Sequence, residues 1–391
     1  MIQPHKICLI AVGSTTWMAG HIYIQHIIKA LTTYYPDVEL HLIIHPLQKK
    51  SLFAREIQQG VHIHRYIWHK SMPLYKRVIS IIYAGLKGRK LHSLSEIIEH
   101  IHPDFVYPSI LANDLPNGTH WIPDFQHKIL PEYSPGQHYT DREQWVKDVI
   151  HEARHLVVSS HTARGHLQDH YNTDGIKIDV LPFRASFDKS IFNHNPSDML
   201  SRYDLPKRYY IYSSNLWKHK NHMCLLKAME HMIKADKQAC LVLTGTMLDP
   251  RNKRYKEEIY TFIKDTGIEA HIKILGMIPR IDQLQLLRQS VAIVQPSFFE
   301  GWSSLVEDAR AIGKRIIVSD IPIHREQAPY QGIFFDPNNV EELVAILTEI
   351  WRTTEAGPDP ESEVWARHNS DLLCRSFADK FVDIAINNAR L

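Results

Sequence analysis

Residues 296–313 read P-S-F-F-E-G-W-S-S-L-V-E-D-A-R-A-I-G. Immediately upstream runs Val291-Ala292-Ile293-Val294, and downstream Arg315-Ile316-Ile317-Val318-Ser319-Asp320. Both apolar runs have the length and β-branched content of buried strands. A strand, a loop carrying an acid and a glycine, a short helix and another strand make a βαβ unit. Ligands in such sheets gather at the carboxyl ends of strands, where helix amino termini point. Glu300 and the Glu307-Asp308 pair are therefore expected to face one crevice.

The same grammar extends in both directions. Toward the amino terminus, residues 6–12, 38–44, 61–67, 105–107 and 156–160 read as strands. A loop over 13–20 and a helix over 22–31 follow the first of them. In the second half, 209–212, 240–244, 272–275 and 334–337 are strand segments. Residues 222–233, 255–266, 284–288 and 340–351 are helical. Strand alternating with helix argues for parallel sheets. The polar stretch 186–204 reads as a linker, and 357–360 as a second break before closing helices. The expected domains are therefore 1–190 and 200–371, with a helix near 372–391 returning to the first. Two doubly wound sheets facing each other leave a cleft.

Composition narrows the function. At 391 residues the chain has room for two domains, and 44% hydrophobic content supports real cores. A net charge of +2 gives no global case for nucleic-acid binding. Cys8, Cys224, Cys240 and Cys374 are scattered without a CxxC pair and read as core residues. Met1 leads straight into a strand, and no apolar run approaches the length of a membrane span. A cytoplasmic protein, soluble or peripheral, is the expectation. The 26 histidines show no metal-ligand spacing and read mostly as polar-face residues. Residues 72–94 mix Lys76, Arg77, Lys87, Arg89 and Lys90 with apolar residues. That pattern suits either an anionic membrane surface or a solvated helix with one core face.

The 296–313 segment resembles the signature P-S-x-x-E-G-F-G-x-P-x-L-E-A-x-A-x-G of retaining glycosyltransferase family 4, whose fold is GT-B. Glu300, Gly301, Ala309, Ala311 and Gly313 match it. Asp308 stands at the second glutamate, with Glu307 one residue earlier. The resemblance continues in Ser319-Asp320-Ile321-Pro322-Ile323-His324-Arg325-Glu326 and Phe335-Asp336-Pro337. Upstream, residues 214–222 are similar to the phosphate-binding segment of one branch, and 121–133 to its acceptor-side loop. It implies an α/β chain of two Rossmann-like domains. It also implies transfer of a hexose, mannose from GDP-mannose first, to a saccharide or lipid-linked acceptor in surface-polysaccharide assembly. A UDP-sugar 2-epimerase of the same fold and a non-catalytic partner subunit are the alternatives.

The resemblance implies roles residue by residue. Glu300 contacts donor-sugar hydroxyls. Lys220 steadies the departing diphosphate. The usual arginine five residues earlier is Asn215, so Lys218 or Arg184 is a candidate substitute. A carboxylate takes the ribose hydroxyls. Asp308 is the first choice, and Glu307 competes, because Ser304 and Glu307 have the spacing of a capping box. Amides and hydroxyls over Gly301, Trp302, Ser303, Ser304 and Leu305 hold sugar or phosphate oxygens. Met277 and Ile278, in the loop 276–279, lie against the base. Gly20 and His21, in a loop after the first strand, approach the donor. Asp124 or His127 sits by the acceptor hydroxyl; the family's His before Asp124 is Pro123 here. In retaining enzymes of this fold the leaving phosphate itself takes the acceptor proton. No essential metal and no cofactor beyond a GDP- or UDP-sugar co-substrate are expected, nor any nucleic-acid partner. Contact with the cytoplasmic face of the inner membrane is the further expectation.

Overall fold

The structure is a computed structural model. It describes residues 4–13, 18–44, 59–66, 74, 78–79, 81–82, 85, 92–109 and 118–388. By their contacts the residues form two compact units. The first takes 1–125, 140–186 and 373–391, and the second 126–139 and 187–372.

In the first unit, β1 (Lys6–Ile10), α1 (Met18–Tyr34), β2 (Glu39–Ile44) and β3 (His62–Arg65) are followed by α2 (Leu94–Ile101), β4 (Phe105–Ser109) and β5 (Gly118–Ile122). A short helix, α3 (Gln126–Ile129), belongs to the second unit's cluster. Then come α4 (Gln137–Glu152), β6 (His155–Val158), α5 (His161–His170) and β7 (Lys177–Val180). The strands pair in parallel in the order β3-β2-β1-β4-β5-β6-β7. β1, β4 and β6 are almost wholly buried, as expected for strands covered on both faces.

The second unit continues with α6 (Asp198–Arg202), β8 (Tyr210–Ser213), α7 (His222–Ala235), β9 (Leu241–Thr244), α8 (Arg254–Asp265) and β10 (Ile272–Gly276). It ends with α9 (Arg280–Gln289), β11 (Ala292–Gln295), α10 (Ser304–Ile312), β12 (Ile316–Ser319), α11 (Pro322–Gln327), β13 (Gly332–Phe335) and α12 (Val340–Thr353). Its parallel order is β10-β9-β8-β11-β12-β13. The chain steps outward one way from β8 and then returns to the other side through β11. That reversal is a topological switch point, where a crevice opens at the carboxyl ends.

Five expectations are corrected. Residues 126–139 cluster with the second unit, not the first. Residues 187–204 are no free linker: Ile191 and Met199 are buried in the second unit's core. β5 and β7 escaped notice because their residues are too polar for an apolar-run criterion. The chain closes with one helix of 29 residues, α13 (Pro360–Asn388), rather than several. Its end lies in the first unit, where Phe381 meets the rings of Phe105 and Tyr107 and Asp379 accepts from the Tyr35 hydroxyl at 2.7 Å. Helix α1 begins at Met18, so Gly20 and His21 lie in its first turn and not in a loop. All four cysteines are buried and none forms a disulfide among the described residues. Residues 72–94 fall largely outside the described set. Among the described residues, no helix is long and apolar enough to cross a membrane.

Candidate functional site

The carboxyl edge of the second sheet is polar. β8 ends in Ser213, β9 in Thr244, β11 in Gln295 and β12 in Ser319. A polar residue closing an apolar strand is a signal readable in sequence, and it went unread for all four.

Past β11 the chain runs through 296–303 into α10. Ser303 caps that helix, its side chain accepting from the Val306 N–H at 3.2 Å. The capping box expected of Ser304 and Glu307 does not form. Gln327 fixes the start one residue earlier: its amide oxygen accepts from the Ser303 N–H and its amide nitrogen donates to the Ser303 carbonyl, each at 3.0 Å. Glu307 is buried and accepts from Arg310 and, at 3.2 Å, from Gln327. It therefore has partners that keep it from a ribose.

Lys220 closes a 3-10 turn after β8. The next residue, Asn221, adopts a left-handed backbone at φ 57°, which asparagine tolerates better than most residues. Its amide donates to the carbonyls of Pro296 (3.1 Å) and Pro337 (3.0 Å). The Tyr212 hydroxyl donates to the Lys220 carbonyl at 2.9 Å. The lysine turn is thus stitched to the 296–303 loop. Across that seam the Lys220 ammonium donates to both Glu300 oxygens, at 2.7 and 2.6 Å. Gln295 donates to Glu300 Oε1 at 2.7 Å and accepts from the Ser303 hydroxyl at 2.7 Å.

Burial pushes the Glu300 carboxyl up. The Lys220 ammonium, by charge and hydrogen bond, outweighs it, and the carboxyl settles below its ordinary value. Glu300 is therefore ionised at neutral pH. His324 is fully buried, and its Nδ1 donates to the Ser319 carbonyl at 2.8 Å. Burial lowers its pKa despite the nearby Glu300 charge, so it stays neutral. Gln295, Asn221, Gln327 and His324 were all missed in the sequence.

Asp308 does not present open oxygens. Arg280, in the first turn of α9, grips it with both terminal nitrogens, at 2.7 and 2.5 Å. Burial raises the Asp308 carboxyl, the Arg280 charge opposes that, and the net shift is upward. Asn215 uses its side-chain oxygen to accept from the Thr246 N–H at 3.1 Å. Gly245, at φ 119°, lets these two loops approach, since a Cβ there would lie 2.3 Å from the Ser214 carbonyl oxygen. Lys218 pairs with Glu258 at 3.8 Å. Arg184 belongs to the first unit.

Lys220, Glu300, Gly301, Trp302, Ser303, Ser304 and Asp308 thus come together on one sheet edge. The Leu305 side chain is in the hydrophobic core, leaving only its backbone to face a ligand. Met277 is exposed after β10, and Ile278 rests against the core. Gly20, His21 and Asp124 lie in the first unit. His21 is buried, which lowers its pKa. The Asp124 carbonyl accepts from Arg142 at 3.1 Å. His127 falls in the second unit's cluster, buried, with its ring against Tyr139 at 5.7 Å.

Residues 201–358 match the family described as glycosyl transferases group 1. The chain is 22% identical over 290 residues to the O-antigen chain mannosyltransferase B of Escherichia coli, covering 72% of each. It is 21% identical to the O-antigen chain mannosyltransferase RfbU of Salmonella typhimurium, spanning 59% of this chain and 61% of that protein. A glycosyltransferase structure from Rickettsia africae superposes with a TM-score of 0.67 at 16% identity, covering 98% of both chains. That likeness establishes the fold as GT-B.

Proposed function

We propose that the chain, whose residues 201–358 match the glycosyl transferases group 1 family, is a glycosyltransferase that moves mannose from GDP-mannose to a saccharide or lipid-linked acceptor in O-antigen assembly. The observation that carries this reading is the pair formed by the partly buried Lys220 and the buried Glu300 at the sheet's carboxyl edge. Glu300, held ionised and oriented by Gln295, offers acceptors to sugar hydroxyls. Lys220 supplies positive charge where the diphosphate departs, the main electrostatic task of the reaction. The α10 amino terminus adds unpaired N–H groups. Anomeric configuration is retained in this proposal, the leaving phosphate receiving the acceptor proton, with Asp124 or His127 orienting the acceptor. The residues named bind through charge and hydrogen bonds, so no metal or cofactor enters the scheme.

The relatives' mannosyl names support mannose as the sugar; the nucleotide is tested by a thermal-shift screen with GDP-, UDP-, ADP- and dTDP-sugars. A shift with GDP-mannose followed by turnover with an acceptor extract is the expected result. A second reading, a non-catalytic nucleotide-sugar-binding subunit, is favoured by the occupied side chains of Asn215 and Asp308. Donor binding without hydrolysis or transfer under any condition would establish it instead.

A further inference from the structure

A carboxylate serves a ribose by accepting from its two hydroxyls, and Asp308 is buried with each oxygen already accepting from Arg280. Both of its oxygens are held by Arg280, and the Asp308 side chain is only 3% exposed. The Arg280 side chain, in contrast, is 32% exposed. It has five N–H donors in a planar fork. One Nη1 hydrogen goes to Asp308, the other to the Gln283 side-chain oxygen at 2.9 Å, and one Nη2 hydrogen to Asp308. The Nε–H and the second Nη2 hydrogen have no acceptor among the described residues.

The fork is rigidly held. Phe187 supports its face, with 5.3 Å from guanidinium carbon to ring centre. Gln283 also donates to the Ser213 hydroxyl, which accepts from Thr244 at 2.7 Å, so the cation is tied to the ends of β8 and β9. Under the proposed reading, its place in the chain puts it between the base and the diphosphate. Arg280 directly follows the loop 276–279, expected to lie against the base. Asp308 is in the second turn of α10, farther along the helix than the Ser303 cap and the Glu300–Lys220 pair. In a nucleoside diphosphate the ribose is the group joining base to phosphate.

We infer that Arg280 is a donor-binding residue that takes the ribose hydroxyls in place of a carboxylate, with Asp308 as its buried positioning anion. The inference rests on the proposed nucleotide-sugar reading. The ribose oxygens accept from Nε–H and Nη2–H, reversing the polarity of the contact that the signature's second glutamate would make. The shortening from Glu to Asp then leaves room for the guanidinium.

The test is calorimetric titration of GDP and UDP, each in its ribo and its 2′,3′-dideoxy form. Arg280→Met combined with Asp308→Leu avoids stranding a buried carboxylate, and melting confirms that it folds. The native protein is expected to bind the ribo form at least about tenfold more tightly than the dideoxy form, the scale of a charge-assisted hydrogen bond. The double variant should bind both forms alike, at the dideoxy affinity. If it keeps the native discrimination, or loses affinity for both forms equally, Arg280 does not hold the ribose. Equal binding of both forms by the native protein also overturns the inference. Binding of neither GDP nor UDP by the native protein would instead remove the nucleotide-sugar reading itself. Arg280→Lys, which keeps the charge but not the fork, should lose most of the discrimination.

Discussion

In the second unit, Arg288 and Glu363 form a buried ion pair where α9 meets α13, and the partly buried Lys220 pairs with the buried Glu300 at the carboxyl edge of the sheet. The first leaves no nitrogen of its cation without an acceptor. Arg288 Nε reaches Glu363 at 2.8 Å, Nη2 reaches the same carboxylate at 2.8 Å, and Nη1 reaches the Ile191 and His194 carbonyls and the Gln285 side chain. Lys314 beside it donates to the carbonyls of Arg288 and Gly357. At the edge, Lys220 donates to Glu300 alone among the described residues, and Arg280 keeps two N–H groups in hand. A buried cation costs several kcal/mol in desolvation unless its donors are all met. The seam meets them with protein groups. The edge leaves some for a ligand.

If that distinction holds, Arg288→Met should be the most damaging change to the fold. It removes the hydrogen bonds to Glu363 and to the His194 carbonyl, leaving Arg367 at 3.6 Å as that carboxylate's cation, and should cost about 3–5 kcal/mol, read as a fall in melting temperature. Any folded fraction should transfer sugar at the native rate. A variant that melts normally but transfers poorly would erase the contrast between the two clusters.

Lys314 probes the seam through pH. Burial, only partly opposed by the Asp359 charge, lowers its pKa to about 7. The ordinary value is 10.5. Between those two values the unfolded chain binds more protons than the folded one, so stability rises with pH across the window. Below about pH 7 the lysine is charged in both states, and its burial penalty is fully felt. The slope approaches about 1.4 kcal/mol per pH unit inside the window. Melting at pH 7.5 and 9.5 should show the native protein gaining relative to Lys314→Met. Parallel curves for the two proteins would refute the assignment.

At the edge the expectation is opposite in kind. Glu300→Ala and Lys220→Ala should each cut kcat/KM by about a hundredfold or more while melting changes less than for Arg288→Met, because in the proposed function each side chain binds the reacting donor. Glu300→Gln separates charge from shape and should recover binding better than rate. Normal transfer by both alanine variants would move the active site elsewhere.

The sheet grammar was legible because parallel strands are buried on both faces and so read as unbroken apolar runs, as at Val291-Ala292-Ile293-Val294. β5 and β7 broke that rule with His120, Lys177 and Asp179. Residues 187–204 looked like linker by composition, yet Ile191 and Met199 enter the core. Lys220 was legible only through the family resemblance, and Glu300 through that resemblance and its loop after a strand, although nothing local in the sequence shows that residues 80 apart meet. The histidines misled most. His21, His120, His219, His222 and His324 are buried, and desolvation lowers each pKa. The capping serine was misplaced by one residue because Gln327, on another helix, selects between Ser303 and Ser304. Such a choice is tertiary and leaves no local mark.

Ser303 gives the mildest test, since it belongs to both kinds of cluster at once. Its hydroxyl oxygen accepts from the Val306 N–H, a helix-start bond whose loss costs about 1 kcal/mol. The same hydroxyl donates to Gln295, which in turn donates to Glu300. Ser303→Ala should therefore lower stability by about 1 kcal/mol and also slow transfer, by less than Glu300→Ala, because Gln295 loses the partner that aims its amide. Ser303→Asp keeps the cap, as aspartate caps well, but cannot donate to the Gln295 oxygen. It should restore melting and leave transfer slow. If aspartate restores both, the hydroxyl serves the helix alone, and the edge cluster ends at Gln295.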